Sequence, residues 1–134
     1  MTLEHIAIWT RNLETLRLFY CTHFGAQANE KYVNPQKGFE SYFLSFESGA
    51  RLELMARPDV PENKNDTVTA QHLGVIHFAF GVATMQHVNE KAKALRAAGF
   101  LILSGPRKTG DGYYEFETLD PDNNRIEVTT LFVG

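Results

Sequence analysis

The stretch LEHIAIW, residues 3–9, is answered in the second half of the chain by VIHFAFGV, residues 75–82. In the first, Ile6 and Ile8 alternate with His5, Ala7 and Trp9; in the second, Ile76, Phe78 and Phe80 alternate with His77 and Ala79. A period of two marks a half-buried strand, whose successive side chains go to opposite faces of a sheet. Each strand leads into a helical pattern. Leu13, Leu16, Phe19, Tyr20 and Phe24 recur at helical spacing, with Asn12 as candidate N-cap and Gly25 as the stop. Val88, Ala92, Leu95 and Ala98 share one face of a segment running from Met85 to Ala98, which Gly99 ends.

The order of elements repeats beyond the helices. The first half continues through Ala26 to Tyr32, the alternating Tyr42, Leu44 and Phe46 of Glu40 to Glu47, a Ser48-Gly49 turn and a strand from Arg51 to Ala56. The second continues through Phe100 to Ser104, Tyr113 to Leu119, a turn at Asp120 to Asn124 and a strand from Arg125 to Leu131. Both halves therefore read β-α-β-β-β. The polar, proline-bearing stretch from Arg57 to Gln71 reads as the linker. The expectation is one α+β domain over residues 1–134, in which paired β-α-β-β-β modules (1–56 and 72–134, linker 57–71) form a curved mixed sheet.

Composition narrows the function classes. At 134 residues with 43% hydrophobic and 22% charged residues, the chain has the balance of a folded globular domain. Thirteen Lys plus Arg against sixteen Asp plus Glu give a net charge of −3, which argues against nucleic acid as a partner. No run approaches the length of a membrane span, so no membrane partner is expected. The single cysteine, Cys21, falls in the apolar pattern of the first helix and is expected in the core. A cytoplasmic location follows as the expectation.

The repeat carries matched ionisable residues. His5 and Glu53 are 48 residues apart and His77 and Glu127 are 50 apart, and both glutamates sit in one local frame, Arg51-Leu52-Glu53-Leu54 and Arg125-Ile126-Glu127-Val128. In all four strands the His or Glu has the parity opposite to the bulky apolar residues. Apolar sets pack on helices, and the four polar side chains face the other way. Taken singly, each would be a solvated surface residue. Present in duplicate, two imidazoles and two carboxylates make a ligand set for a divalent transition metal with positions left open. His23, His72 and His87 do not share the pattern and read as surface or capping residues.

The paired modules, the opening LEHIAI, RLEL, VIHFAF and the closing DPDNNRIEV resemble the glyoxalase / bleomycin resistance / extradiol dioxygenase (vicinal oxygen chelate) superfamily over essentially the whole chain. The order His5, Glu53, His77, Glu127 is similar to that of bacterial glyoxalase I proteins. That resemblance implies a divalent metal, Ni, Co or Zn ahead of Fe or Mn. It implies lactoylglutathione lyase-like isomerisation of a small carbonyl or a glutathione or other thiol adduct. By the same resemblance Glu127 is the general base, with Glu53 as ligand and partner acid. Glutathione-using members usually carry an arginine four residues after the first histidine; here Trp9 stands there, and Arg11 follows.

Trp9 and Arg11 are thus candidate substrate-binding residues, joined by Arg107, Lys108, Tyr113 and Tyr114 of GPRKTGDGYYEF, residues 105–116, read either as a binding loop with Gly105, Gly110 and Gly112 as turn residues or as an ordinary hairpin. Open sheet edges suggest a homodimer. The competing readings are a metal-independent antibiotic or small-molecule binder of bleomycin-resistance type, and a dioxygenase or fosfomycin-resistance-like member.

Overall fold

The computed structural model describes residues 1–132. It divides into two compact units, Met1–Asn63 and Lys64–Gly134. In the first unit β1 (His5–Trp9) is followed by α1 (Leu13–Phe24), β2 (Gln27–Ala28), β3 (Tyr32–Asn34), β4 (Phe39–Ser45) and β5 (Arg51–Ala56). The sheet order is β1-β5-β4-β2, with β3 also paired to β4. Only β1 and β5 run parallel. The second unit repeats this with one strand fewer: β6 (His77–Gly81), α2 (Met85–Ala97), β7 (Ile102–Lys108), β8 (Tyr113–Leu119) and β9 (Arg125–Leu131), in the order β6-β9-β8-β7. The α+β class is as expected, and the mixed sheet is realised as two, one in each unit.

This topology brings the distant pairs together. The last strand of each unit inserts beside the first, so β5 lies against β1 and β9 against β6. The two registers are equivalent: Ala7 stands beside Glu53 and His5 beside Arg51, while Ala79 stands beside Glu127 and His77 beside Arg125.

Apolar parity supplies both cores. Leu16 and Tyr20 of α1 are fully buried with Leu44 and Leu54 of the sheet; Val88 and Leu95 of α2 are fully buried with Ile126. The helix ends follow their local chemistry. Gly25 takes the left-handed conformation that closes α1, its N–H donating to the Tyr20 carbonyl. Asn12 occupies the cap position of α1, but its side chain makes no capping hydrogen bond. Thr84 caps α2, its hydroxyl accepting from the His87 N–H at 3.1 Å. Cys21 is half-buried rather than sealed in the core. No helix among the described residues is long and apolar enough to cross a membrane.

The segment between modules is not a free tether. Arg11 Nη1 meets Glu62 Oε1 at 2.7 Å within the first unit. In the second, the buried Arg125 donates from Nε to the Thr67 carbonyl at 2.6 Å and from Nη2 to the carbonyls of Val68 at 3.3 Å and Ala70 at 3.1 Å. Asp66 tightens the same turn, its Oδ1 accepting from the N–H groups of Val68 and Thr69.

One stretch departs from the loop reading. Residues 105–116 form a hairpin in which β7 continues through Lys108 and turns back into β8 at Tyr113. The β7–β8 register shifts on either side of Ser104, so the strand is bulged. Bulges admit the Gly105-Pro106 pair that a regular strand would refuse.

Candidate metal centre

In the first unit, parallel pairing of β1 with β5 sets His5 and Glu53 as diagonal neighbours on the sheet face away from α1, with His5 Nε2 at 3.7 Å from Glu53 Oε1. Glu4 Oε1 lies 3.3 Å from His5 Nδ1. A carboxylate at one ring nitrogen orients the imidazole and leaves the other nitrogen to act as a ligand. Glu4 is itself held by Arg51, whose Nε donates to Oε2 at 2.9 Å, and this bonding keeps the Glu4 carboxyl at about 2. The floor beside Glu53 is aromatic: Phe43 stands opposite it in register, edge-on to the His5 ring at 5.3 Å.

The second unit builds the corresponding pair more tightly, with His77 Nε2 at 3.3 Å from Glu127 Oε1. Here the residue opposite the glutamate is Glu117. His77, Glu117 and Glu127 each offer a ligand atom within 4.8 Å of the others. Arg125 Nη1 donates to Glu117 Oε1 at 3.1 Å. The Glu127 carboxyl is pushed up to about 7, first by burial and then by the charges of Glu115 and Glu117, against which Arg107 acts weakly. A carboxyl near neutrality is matched to taking and returning a proton at physiological pH.

The donor set suits a divalent ion: imidazole nitrogens and carboxylate oxygens are the ligands of Zn, Ni and Co in proteins. The second unit also carries an orphaned polar atom. Thr129 Oγ1, on the same face as Glu127, is buried without a hydrogen-bond partner among the described residues. A buried hydroxyl in that state calls for a bound group to meet it.

The expected substrate-binding residues separate. Trp9 shares the face of His5 by strand parity and is 40% exposed, with its ring edge-on to Phe39 at 6.0 Å and the Arg57 guanidinium 5.1 Å away. Arg107 is paired in register with Glu115, which places it with Tyr113 on the Glu127 face. Tyr114 alternates to the helix side, where its hydroxyl donates to Asn89 Oδ1 of α2 at 2.7 Å. It therefore anchors the sheet rather than facing the glutamates. Lys108, in register with Tyr114, sets its ammonium 3.8 Å from the Phe132 ring centroid. Arg11 is turned to Glu62 and to the Val60 carbonyl. Glu117 was absent from the candidates read off the sequence, although its alternation with Phe116 and Thr118 assigns it to the polar face.

Solved structures of the same architecture are numerous. Glyoxalase I of Leishmania major, described as trypanothione-dependent, superposes with a TM-score of 0.74 at 24% identity, covering 97% of this chain and 86% of that one. A glyoxylase/bleomycin resistance protein/dioxygenase domain from Frankia sp. EAN1pec gives 0.80 at 14% identity, covering 98% of each chain. Lactoylglutathione lyase from Agrobacterium tumefaciens gives 0.67 at 19% identity, covering 95% of this chain and 91% of that one. At these identities the likeness speaks for the fold. Among curated proteins none matches the sequence. The family model for the Glyoxalase/Bleomycin resistance protein/Dioxygenase superfamily matches residues 2–128, and the chain belongs to that superfamily.

Proposed function

We propose that this protein is a metal-dependent lyase or isomerase of glyoxalase I type, acting on a small carbonyl compound or its thiol adduct. The observation that carries the reading is the duplicated histidine–glutamate pair, His5 with Glu53 at 3.7 Å and His77 with Glu127 at 3.3 Å. In this reading His5, Glu53, His77 and Glu127 hold the ion. A bound divalent ion would supply Lewis-acid stabilisation of negative charge on substrate oxygens.

The chain's own residues supply the proton chemistry. Glu127, half-buried beside His77, removes a proton from the carbon next to the carbonyl and returns it to the neighbouring carbon. Glu53, at the equivalent register position of the first unit, is the ligand and partner acid. Trp9, Tyr113 and Arg107 are the substrate-binding residues that this reading retains. The homodimer and cytoplasmic location belong to the same proposal.

The test is isomerisation of methylglyoxal with glutathione, or with other thiols, by protein loaded in turn with Ni²⁺, Co²⁺ and Zn²⁺. Metal-dependent turnover that Glu127→Gln reduces on the order of 100-fold or more supports the reading. Equal rates with and without metal overturn it. The exposed Trp9, with Phe39 and Arg57 around it, favours the binder reading as the second choice. Ligand affinity unchanged by His5→Ala would decide for that one.

A further inference from the structure

The two units share a register on one side of each glutamate and diverge on the other. Phe43 of β4 faces Glu53, whereas Glu117 of β8 faces Glu127. The equivalent arginines follow this difference. The Arg51 guanidinium lies 4.1 Å from the Phe43 ring centroid, while Arg125 donates to Glu117 at 3.1 Å. The second unit has therefore exchanged an aromatic floor for a third potential ligand.

That exchange sets two carboxylates against each other. Two carboxylates directly opposite on antiparallel strands repel, and the Glu117 and Glu127 side chains are only 16% and 17% exposed. Arg125 offsets part of the repulsion through its Nη1 bond to Glu117 Oε1, while its Nε and Nη2 serve backbone carbonyls. Bonds of about 2.0–2.2 Å to one ion leave ligand atoms roughly 3–4.4 Å apart. The 4.8 Å spread of His77, Glu117 and Glu127 needs only a small closure to reach that range. The orphaned Thr129 hydroxyl lies two residues beyond Glu127 on the same face.

We propose that Glu117 is a further protein ligand of the divalent cation, alongside His77 and Glu127. This deepens the metal-dependent reading above and rests on it for the ion itself.

The experiment is calorimetric titration of the metal-stripped full chain with Zn²⁺ and Co²⁺, with the visible absorption of bound Co²⁺ as a second readout. Glu117→Gln and Glu117→Phe are expected to weaken affinity on the order of 100-fold or more and to change the Co²⁺ spectrum. Glu117→Phe reproduces the Phe43 and Arg51 arrangement, so Arg125 keeps a partner, and thermal melts of the metal-free variants show whether the fold is retained. Wild-type affinity in both Glu117 variants overturns the inference and leaves the four-residue reading standing. Absence of metal uptake by the wild type overturns both readings together.

Discussion

The Tyr42 hydroxyl on β4 donates a 2.6 Å hydrogen bond to Glu14 Oε1 on α1, tying helix to sheet in the first unit. Lys31 joins the same carboxylate at 3.0 Å, and Arg17 at 3.2 Å. The hydrogen bond from Tyr42 is the largest influence holding the Glu14 carboxyl at about 2. A carboxyl depressed on folding contributes stability that is fully present above its unfolded value near 4.5 and disappears as pH falls through about 2. Glu14 is half exposed, so solvent screening holds the contribution to about 1 kcal/mol or less. Urea denaturation should find Tyr42→Phe less stable than wild type at pH 7 by about 1 kcal/mol, with the gap narrowing toward pH 2. A gap that stays constant with pH would contradict the coupling.

Glu127 behaves in the opposite sense. Its carboxyl is raised from 4.5 to about 7, so its ionisation opposes folding in the metal-free protein. The penalty is absent below pH 4.5, grows between 4.5 and 7 and is complete above 7. Discounted for the solvent that still reaches the group, it is about 1–2 kcal/mol. Metal-free Glu127→Gln should therefore be more stable than wild type at pH 8 and indistinguishable from it at pH 4, as read by chemical denaturation at the two pH values.

Divalent metal should reverse that order. An ion that binds only the folded chain stabilises it by about 2.7 kcal/mol at a hundred times its Kd. Thermal melts with saturating Zn²⁺ or Co²⁺ should show a raised Tm for the wild type that EDTA abolishes. His77→Ala should show little or none of that rise. An unshifted wild-type Tm would contradict metal binding to the native state.

Two glycines at positive φ should differ sharply when changed to alanine. At Gly25, φ is +68° and an added Cβ meets nothing within 4 Å, so the cost is the backbone strain alone, about 1 kcal/mol. At Gly105, φ is +84° and the Cβ would stand 2.5 Å from the Glu115 carbonyl oxygen, which forces the β7–β8 ladder apart. Gly105→Ala should cost about 2–4 kcal/mol. It should also lower activity by moving Arg107 and Glu115, while Gly25→Ala leaves turnover unchanged.

Strand parity made most of the fold readable. The alternation of Leu52 and Leu54 with Glu53, and of Ile126 and Val128 with Glu127, places β5 and β9 at their observed bounds and the carboxylates on the face away from the helices. The strand expected over Phe100 to Ser104 runs instead as Ile102–Lys108, because Gly105-Pro106 sits in a bulge whose neighbouring strand keeps the ladder. Glu117 escaped for a different reason. Only ionisable residues present in both halves stand out in the repeat, and the counterpart of Glu117 is Phe43. Tyr114 and Arg11 were drawn toward the site by residue type, yet their partners, Asn89 on α2 and Glu62 far along the chain, depend on tertiary contacts that no local pattern carries.

The grip of Arg125 on the carbonyls of residues 67, 68 and 70 sets where this chain can be cut. A fragment beginning at residue 64 would carry its own strap and keep that guanidinium satisfied. One beginning at residue 72 would strand a cation that is only 6% exposed, with Glu117 as its sole remaining partner among these contacts. The duplicated unit is thus longer than its strands and helix: the inheritable piece includes the polar segment ahead of β6. Shuffling or permuting the two halves at the first strand of the second would divide a module rather than separate two.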